Sequence, residues 1–273
     1  MMAISLRETS RANFLISFRD VFKFYSFLGI HSRRHKLFFL IALLPVFMAV
    51  IFKSSQIIYG QPRFSGLFIY SNMIMMFFLQ FLILLLALFF GTSICREEIE
   101  GKTLPYIVTR PINKIAFILG KYVAYTLLVS LMVVFSLTLS FVIMNVNRLG
   151  DLGIYKVLVR DGGVLLLGIW CYAAFFTFLG VILKKAIFFG LIFSFGWENV
   201  IQYFPGKTQK LAIVHYLKSL LPPLSQEGFP FLLFRLEPTP PGEAVLILLG
   251  LMILFLALSC GLYSWKEFII DSQ

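Results

Sequence analysis

Phe64-Ser-Gly-Leu-Phe-Ile-Tyr-Ser-Asn-Met-Ile-Met-Met-Phe-Phe-Leu-Gln-Phe-Leu-Ile-Leu-Leu-Leu-Ala-Leu-Phe-Phe-Gly-Thr-Ser-Ile-Cys95 contains no charged residue over 32 positions. A helix needs ~20 apolar residues to cross the ~30 Å hydrocarbon core of a bilayer. This run exceeds one crossing and is too short for two crossings and a turn. It reads as one tilted helix over 67–94. Outward from it, the intervals 37–52, 122–147, 162–183 and 244–265 are also free of charge, and 186–206 is broken only by Glu198. Six spans follow, at about 37–57, 67–94, 115–145, 162–183, 186–204 and 243–265. The first is short and holds Pro45, whose missing N–H predicts a kink.

The composition agrees with the spans. Of 273 residues 59% are hydrophobic and 14% charged, against ~45–50% and ~25% in soluble domains. Mean hydropathy is +0.90. A soluble enzyme, a disordered regulator and a nucleic-acid module are excluded. No internal repeat or Gly/Ser linker divides residues 1–273, so they form a single transmembrane domain. No secretory signal is expected, because the first apolar run begins near Leu37, after a charged stretch. Cys95, Cys171 and Cys260 are too far apart for a metal motif or a disulfide framework.

Charge placement orients the spans. With six crossings, residues 1–36, 95–121, 184–185 and the C-terminal tail share one side and carry 15 of the 24 Lys and Arg. Positive loops stay in the cytoplasm. The expectation is a multi-pass protein of the inner membrane with both termini cytoplasmic. The net charge of +11 is then mostly topological, with no nucleic acid implied.

Phe14, Phe18, Val21, Phe22, Tyr25 and Leu28 lie on one helical face, interrupted by Arg11, Arg19, Asp20 and Lys23. Residues 11–30 therefore read as an amphipathic helix in the interface, either a passive anchor or a lever to a cytoplasmic partner. The outer loop, 205–242, holds seven prolines and the apolar stretch 229–234. It is expected to pack back on the bundle, since exposed Phe clusters are costly in water.

Between the second and third spans lies a cytoplasmic loop over 95–114. Glu97, Glu98 and Glu100 leave the membrane first, where Lys and Arg are usual. Gly101 can end a helix. Thr103 can cap a short helix at 104–109, and Arg110-Pro111 ends it. A short helix held on two long spans suits a plug that docks in a partner and transmits force.

Glu-x-x-Glu-Gly-Lys-Thr-Leu over 97–104, Thr-Arg-Pro-Ile over 109–112 and Gly-Lys-Tyr over 120–122 resemble the permease subunits of ATP-binding-cassette (ABC) exporters. The resemblance is to the six-span class that serves antibiotics, sodium and copper-enzyme maturation. It implies an all-α membrane protein with six transmembrane helices, the N-terminal interfacial helix and a short cytoplasmic coupling helix. It implies a permease dimer on two separate ATPase subunits, in contact with lipid. Glu97, Glu98, Glu100, Gly101, Thr103, Leu104, Thr109, Arg110, Pro111 and Ile112 become the coupling residues. No cofactor belongs to this chain; ATP and magnesium sit in the partner. Gly101-Lys102-Thr103 and Gly206-Lys207-Thr208 only look like phosphate-binding loops, because Arg96 and Ile201 stand where the first Gly is needed.

Glu198 is the single acid well inside an apolar run. An intramembrane acid is a functional candidate. It can line the path, pair across a dimer or reach the outer interface. Asn199 and Gln202 flank it, and Asn72 and Gln80 in the second span can bond between helices. His31 and His35 are spaced for a metal but are surrounded by cations, so no metal is expected. Lys121 is expected to snorkel to the cytoplasmic face. Two functions stand beside the exporter permease. One is a permease for copper-enzyme maturation. The other is a gradient-driven transporter, which would need more intramembrane charges than Glu198. A membrane-embedded enzyme would need clustered catalytic groups, and the spans hold none.

Overall fold

A computed structural model describes residues 14–58, 66–100, 113–204, 207–222 and 238–265, with the side chains of 95–100, 203 and 207 left aside. The protein is an all-α membrane protein; the described residues form helices and turns without a strand. Five helical stretches are long and apolar enough to cross a membrane: Arg33–Ile58, Gly66–Ile94, Lys114–Met144, Leu152–Ile182 and Pro241–Trp265. A shorter apolar helix, Ala186–Val200, follows the fourth.

Helix α1 (Phe14–His31) ends at Ser32, which caps α2 (Arg33–Ala42) by accepting the His35 N–H. The first crossing stretch continues, after a break at Leu43, as α3 (Leu44–Ile58). The break falls two residues before Pro45, whose missing N–H removes a helical hydrogen bond and whose ring crowds the preceding turn. The second stretch runs through α4 (Gly66–Met73), a π-helical segment (Ile74–Leu82) and α5 (Ile83–Glu100). In the π segment the Ile83 N–H reaches the Phe78 carbonyl, five residues back.

The third stretch is α6 (Lys114–Met144). Asn113 caps it, its side-chain oxygen accepting the N–H groups of Ile115 and Ala116 at 3.0 and 3.3 Å. The fourth, α7 (Leu152–Ile182), begins ten residues before the expected start at 162. Arg160 and Asp161 do not end the helix; they pair at 2.9 Å within it. The cap is Asp151, which accepts the Gly153 N–H at 2.9 Å. Charge marks where a span leaves lipid, whereas capping sets where its helix starts.

Lys184 and Lys185 make the turn to α8 (Ala186–Leu191). A π-helical segment (Ile192–Trp197) and the single turn α9 (Glu198–Val200) complete this apolar helix. At 1.5 Å per residue it is about 22 Å long, short of the ~30 Å core. Turns at Ile201–Tyr203 and Lys207–Leu211 then lead to α10 (Ile213–Ser219), and the last described element is α11 (Pro241–Trp265).

The core is the packing of α5 on α7, with α6, α8 and α11 around it. A Cβ added to Gly91 would lie 2.8 Å from Phe176 Cβ, and one on Gly180 would lie 3.1 Å from the Thr92 carbonyl. Only glycine allows this crossing of α5 and α7. Helix α1 lies along the first turns of α6, where Tyr25 packs edge-on against Phe117 and Tyr125. Phe47, Ile51, Leu246 and Leu254 on the first and last crossing stretches face outward, as lipid-facing helices do.

Candidate functional site

Two buried groups among the described residues join helices through polar side chains. The first is Glu198. It lies twelve residues beyond Ala186, about 18 Å along the helix axis, and is fully buried. An ionised carboxylate at this depth must be hydrogen-bonded to be tolerated. Its Oε2 accepts the Tyr172 hydroxyl at 3.0 Å and the Val214 N–H at 3.1 Å, and its Oε1 accepts the Ile213 N–H at 3.0 Å. The side chain thus caps α10, whose own N-cap residue, Ala212, has no side-chain oxygen. The connection after 200 folds back along the bundle to meet this carboxylate. Backbone at such depth is permitted where protein covers it, and Ile213, Val214, His215 and Leu217 are all buried.

Gln202 extends the network. Its Nε2 donates to the Glu198 carbonyl, and its Oε1 accepts from Lys218 Nζ and, at 3.3 Å, from Gln80 Nε2. Gln209 donates to the Gln202 carbonyl at 3.2 Å. Burial pushes the Lys218 ammonium down to about 8, and the Glu198 charge pulls the other way. Further along α10, His215 meets Thr239 at 3.0 Å, and the Thr239 N–H donates to Ser219 Oγ at 3.2 Å. Helix α10 is therefore tied to the entrance of α11.

Of the four intramembrane polar candidates, the structure brings Glu198, Gln202 and Gln80 together. Asn199 stands apart, donating to the Ser194 carbonyl at 2.9 Å, five residues back. Asn72 bonds within its own helix, to the Phe68 carbonyl at 2.8 Å. Both Gln80 and Glu198 lie in or directly beside a π-helical segment. Such turns re-aim side chains and recur at functional sites. Tyr172 and Lys218 were not singled out in the sequence. Tyr172 carried no signal within an apolar run. Lys218 did, as the one cation in the mostly apolar stretch 211–221.

The second place is Lys121, at the other end of the bundle. Its side chain is buried, not extended to the interface as expected. Nζ donates to the Ser93 carbonyl at 3.4 Å and lies 4.6 Å from the Tyr25 ring centre and 5.4 Å from that of Tyr125. Helix α1 covers the position, so the ammonium is held by aromatic faces instead of water. The spacing of Lys121 and Tyr125, one helical turn apart, was the available signal.

Of the coupling residues, Glu97, Glu98 and Glu100 lie on the last turn and a half of α5, and Gly101, Thr103, Leu104, Thr109, Arg110, Pro111 and Ile112 lie outside the described residues. What is described is their frame: the Ser93 end of the second stretch and the Asn113 cap of the third. Among the described residues no His, Cys, Asp and Glu gather as a metal-binding group.

Membrane-crossing helices, joined to a shorter apolar helix and α10 through a carboxylate, an ammonium and two amides, define a polytopic membrane protein with polar joints between its helices. The chain belongs to the ABC-2 family: the family described as ABC-2 family transporter protein matches residues 31–197. It is a transmembrane subunit of an ABC transporter, and the family implies association with ABC ATPase partners. No curated protein matches the chain.

Proposed function

We propose that two copies of this chain form a translocation path and couple to two ABC ATPase subunits through residues 95–114, exporting a substrate across the inner membrane with both termini cytoplasmic. The ATPase partners supply ATP and magnesium, and this chain performs transport without covalent chemistry. The observation that carries the reading is the family match over 31–197, which contains the whole 95–114 segment and both spans that hold it. The joint at Lys121 supports it. Through the Ser93 carbonyl and the Tyr25 ring, this residue ties the end of α5, the start of α6 and helix α1. A push on the loop between α5 and α6 would then move all three together.

The test is to purify the chain with the ATPase encoded beside it and measure ATP hydrolysis and transport together. Glu97→Lys, Glu100→Lys and Arg110→Glu should each leave hydrolysis present and reduce transport per ATP. Full coupling in all three variants would remove the role assigned to this loop.

A further inference from the structure

A further buried polar group lies between the second and fourth crossing stretches. Asp161 is 1% exposed and sits inside the stretch Leu152–Ile182. An ionisable residue within a crossing stretch is a functional candidate. Its Oδ1 accepts two N–H groups of Arg160, from Nε at 3.0 Å and from Nη2 at 2.9 Å. Both bonds go to one oxygen, and no hydrogen bond from the described residues reaches Oδ2.

A second incomplete group is close by. The Tyr70 hydroxyl is fully buried and has no hydrogen-bond partner among the described residues. The charges of Asp161 and Arg160 act on it, and its ring is held edge-on to Phe141 at 5.2 Å. A buried hydroxyl without a partner is destabilising, and native interiors keep few of them.

Beside the carboxylate is a cavity of about 10 Å³, lined by Ser71 and Met75 of the second stretch, Arg160 and Asp161 of α7, and Leu221 and Pro222 beyond α10. A buried water needs ~10–15 Å³ and two to four polar partners. The space therefore admits one water and nothing larger. The Asp161 carboxylate, the Ser71 hydroxyl and the Arg160 guanidinium supply partners, and Tyr70 is the chain neighbour of Ser71. A metal cation suits the place poorly. Arg160 already sets a positive charge on the carboxylate, and calcium or magnesium takes six or more oxygen ligands. An anion would meet the Asp161 charge.

We propose that this cavity binds a single water molecule, which accepts the Tyr70 O–H and donates its two hydrogens to Asp161 Oδ2 and Ser71 Oγ. A bridging water is nearly as good as a direct hydrogen bond. It joins the second stretch to α7 beside the connection that leaves α10, and it satisfies both incomplete groups at once.

The test uses the purified full-length chain in detergent, and its first reading is a sign. An unpartnered Tyr70 hydroxyl predicts that Tyr70→Phe is neutral or raises Tm, because it removes an unsatisfied group. A hydroxyl that donates to water predicts a Tm lowered by about 2–4 °C. Ser71→Ala should lower Tm too. Tyr70→Phe/Ser71→Ala should lose less than the sum of the two, because both hydroxyls share one ligand. A structure that resolves ordered water should show one density within about 3.2 Å of both Tyr70 Oη and Asp161 Oδ2. A neutral or raised Tm in Tyr70→Phe would overturn the proposal, as would additive losses or a direct Tyr70–Asp161 bond with no density between them. A Tm that rises with sodium chloride and not with choline chloride would overturn it by showing a cation as the occupant. None of these readouts involves transport or an ATPase partner, so failure here is distinct from failure of the transport reading.

Discussion

The Glu198 carboxylate accepts the Tyr172 hydroxyl at 3.0 Å inside the bundle. The same carboxylate holds the first two N–H groups of α10. One side chain thus joins α7, the short apolar helix and the connection that follows it. The joint is geometrically specific, because a buried donor left without its acceptor costs ~1–3 kcal/mol.

Glu198→Gln replaces one accepting oxygen by a donor. At least one of Tyr172, Ile213 and Val214 then loses its acceptor, and the loss should be about 1–3 kcal/mol. Glu198→Leu removes all three acceptors and should cost more. Tyr172→Phe should cost about 1 kcal/mol alone and little further in the Glu198→Leu background, since contacting residues are not additive. Denaturant titration of the four variants in detergent measures the cycle. Additive losses would show that Tyr172 and Glu198 do not share a bond.

Lys218 and Gln80 both donate to the same Gln202 oxygen. Gln202→Leu should release both, freeing α10 from the second crossing stretch while leaving Glu198 bonded to Tyr172. Hydrogen exchange should rise across Ile213–Ser219 and stay unchanged across Leu152–Ile182. Unchanged exchange in α10 would show that Gln202 does not hold it, leaving that role to the Glu198 cap and the Thr239 contacts.

Particular residues show how far the sequence could be read. The crossing stretches were legible because hydrophobicity over ~20 residues is a local sum. Glu198 was legible because an acid in an apolar run is conspicuous. Its partners were not, since Ile213 and Val214 contribute backbone N–H groups that any residue supplies. Tyr172 is an aromatic in a helix of apolar residues, so only the packing of α7 against the short helix identifies it. Helix α7 starts ten residues before the charge-free run because Asp151 sets its cap, while Arg160 and Asp161 interrupt the run without ending the helix. Lys121 was expected in water because snorkelling assumes an open interface, and α1 closes that interface over it.

The crossing of α5 and α7 makes a packing prediction. A Cβ at Gly91 meets Phe176 Cβ at 2.8 Å and the Ala173 carbonyl at 3.0 Å. Backbone and Cβ atoms cannot yield as a flexible side-chain end can. Gly91→Ala should therefore cost about 1–3 kcal/mol by overpacking, although alanine is the better helix former. Gly163→Ala, with nothing within 4 Å, is the matched control and should be neutral or stabilising. Equal Tm values for the two variants would show that the helices can move apart.

Lys121 tests whether α1 is a lever or an anchor. Its ammonium contacts Tyr25 on α1, Tyr125 on its own helix and the Ser93 carbonyl at the end of α5. A desolvated cation on an aromatic face is worth ~2 kcal/mol. Lys121→Met keeps most of the volume and removes the charge, so α1 should loosen without loss of the bundle. Tyr25→Leu should loosen α1 in the same way while leaving the Ser93 contact in place. In the complex with the ATPase, a lever predicts lower transport per ATP in both variants. An anchor predicts unchanged coupling and a drop in Tm alone. If only Lys121→Met uncouples, the contact of Lys121 with Tyr25 is not the one that carries force.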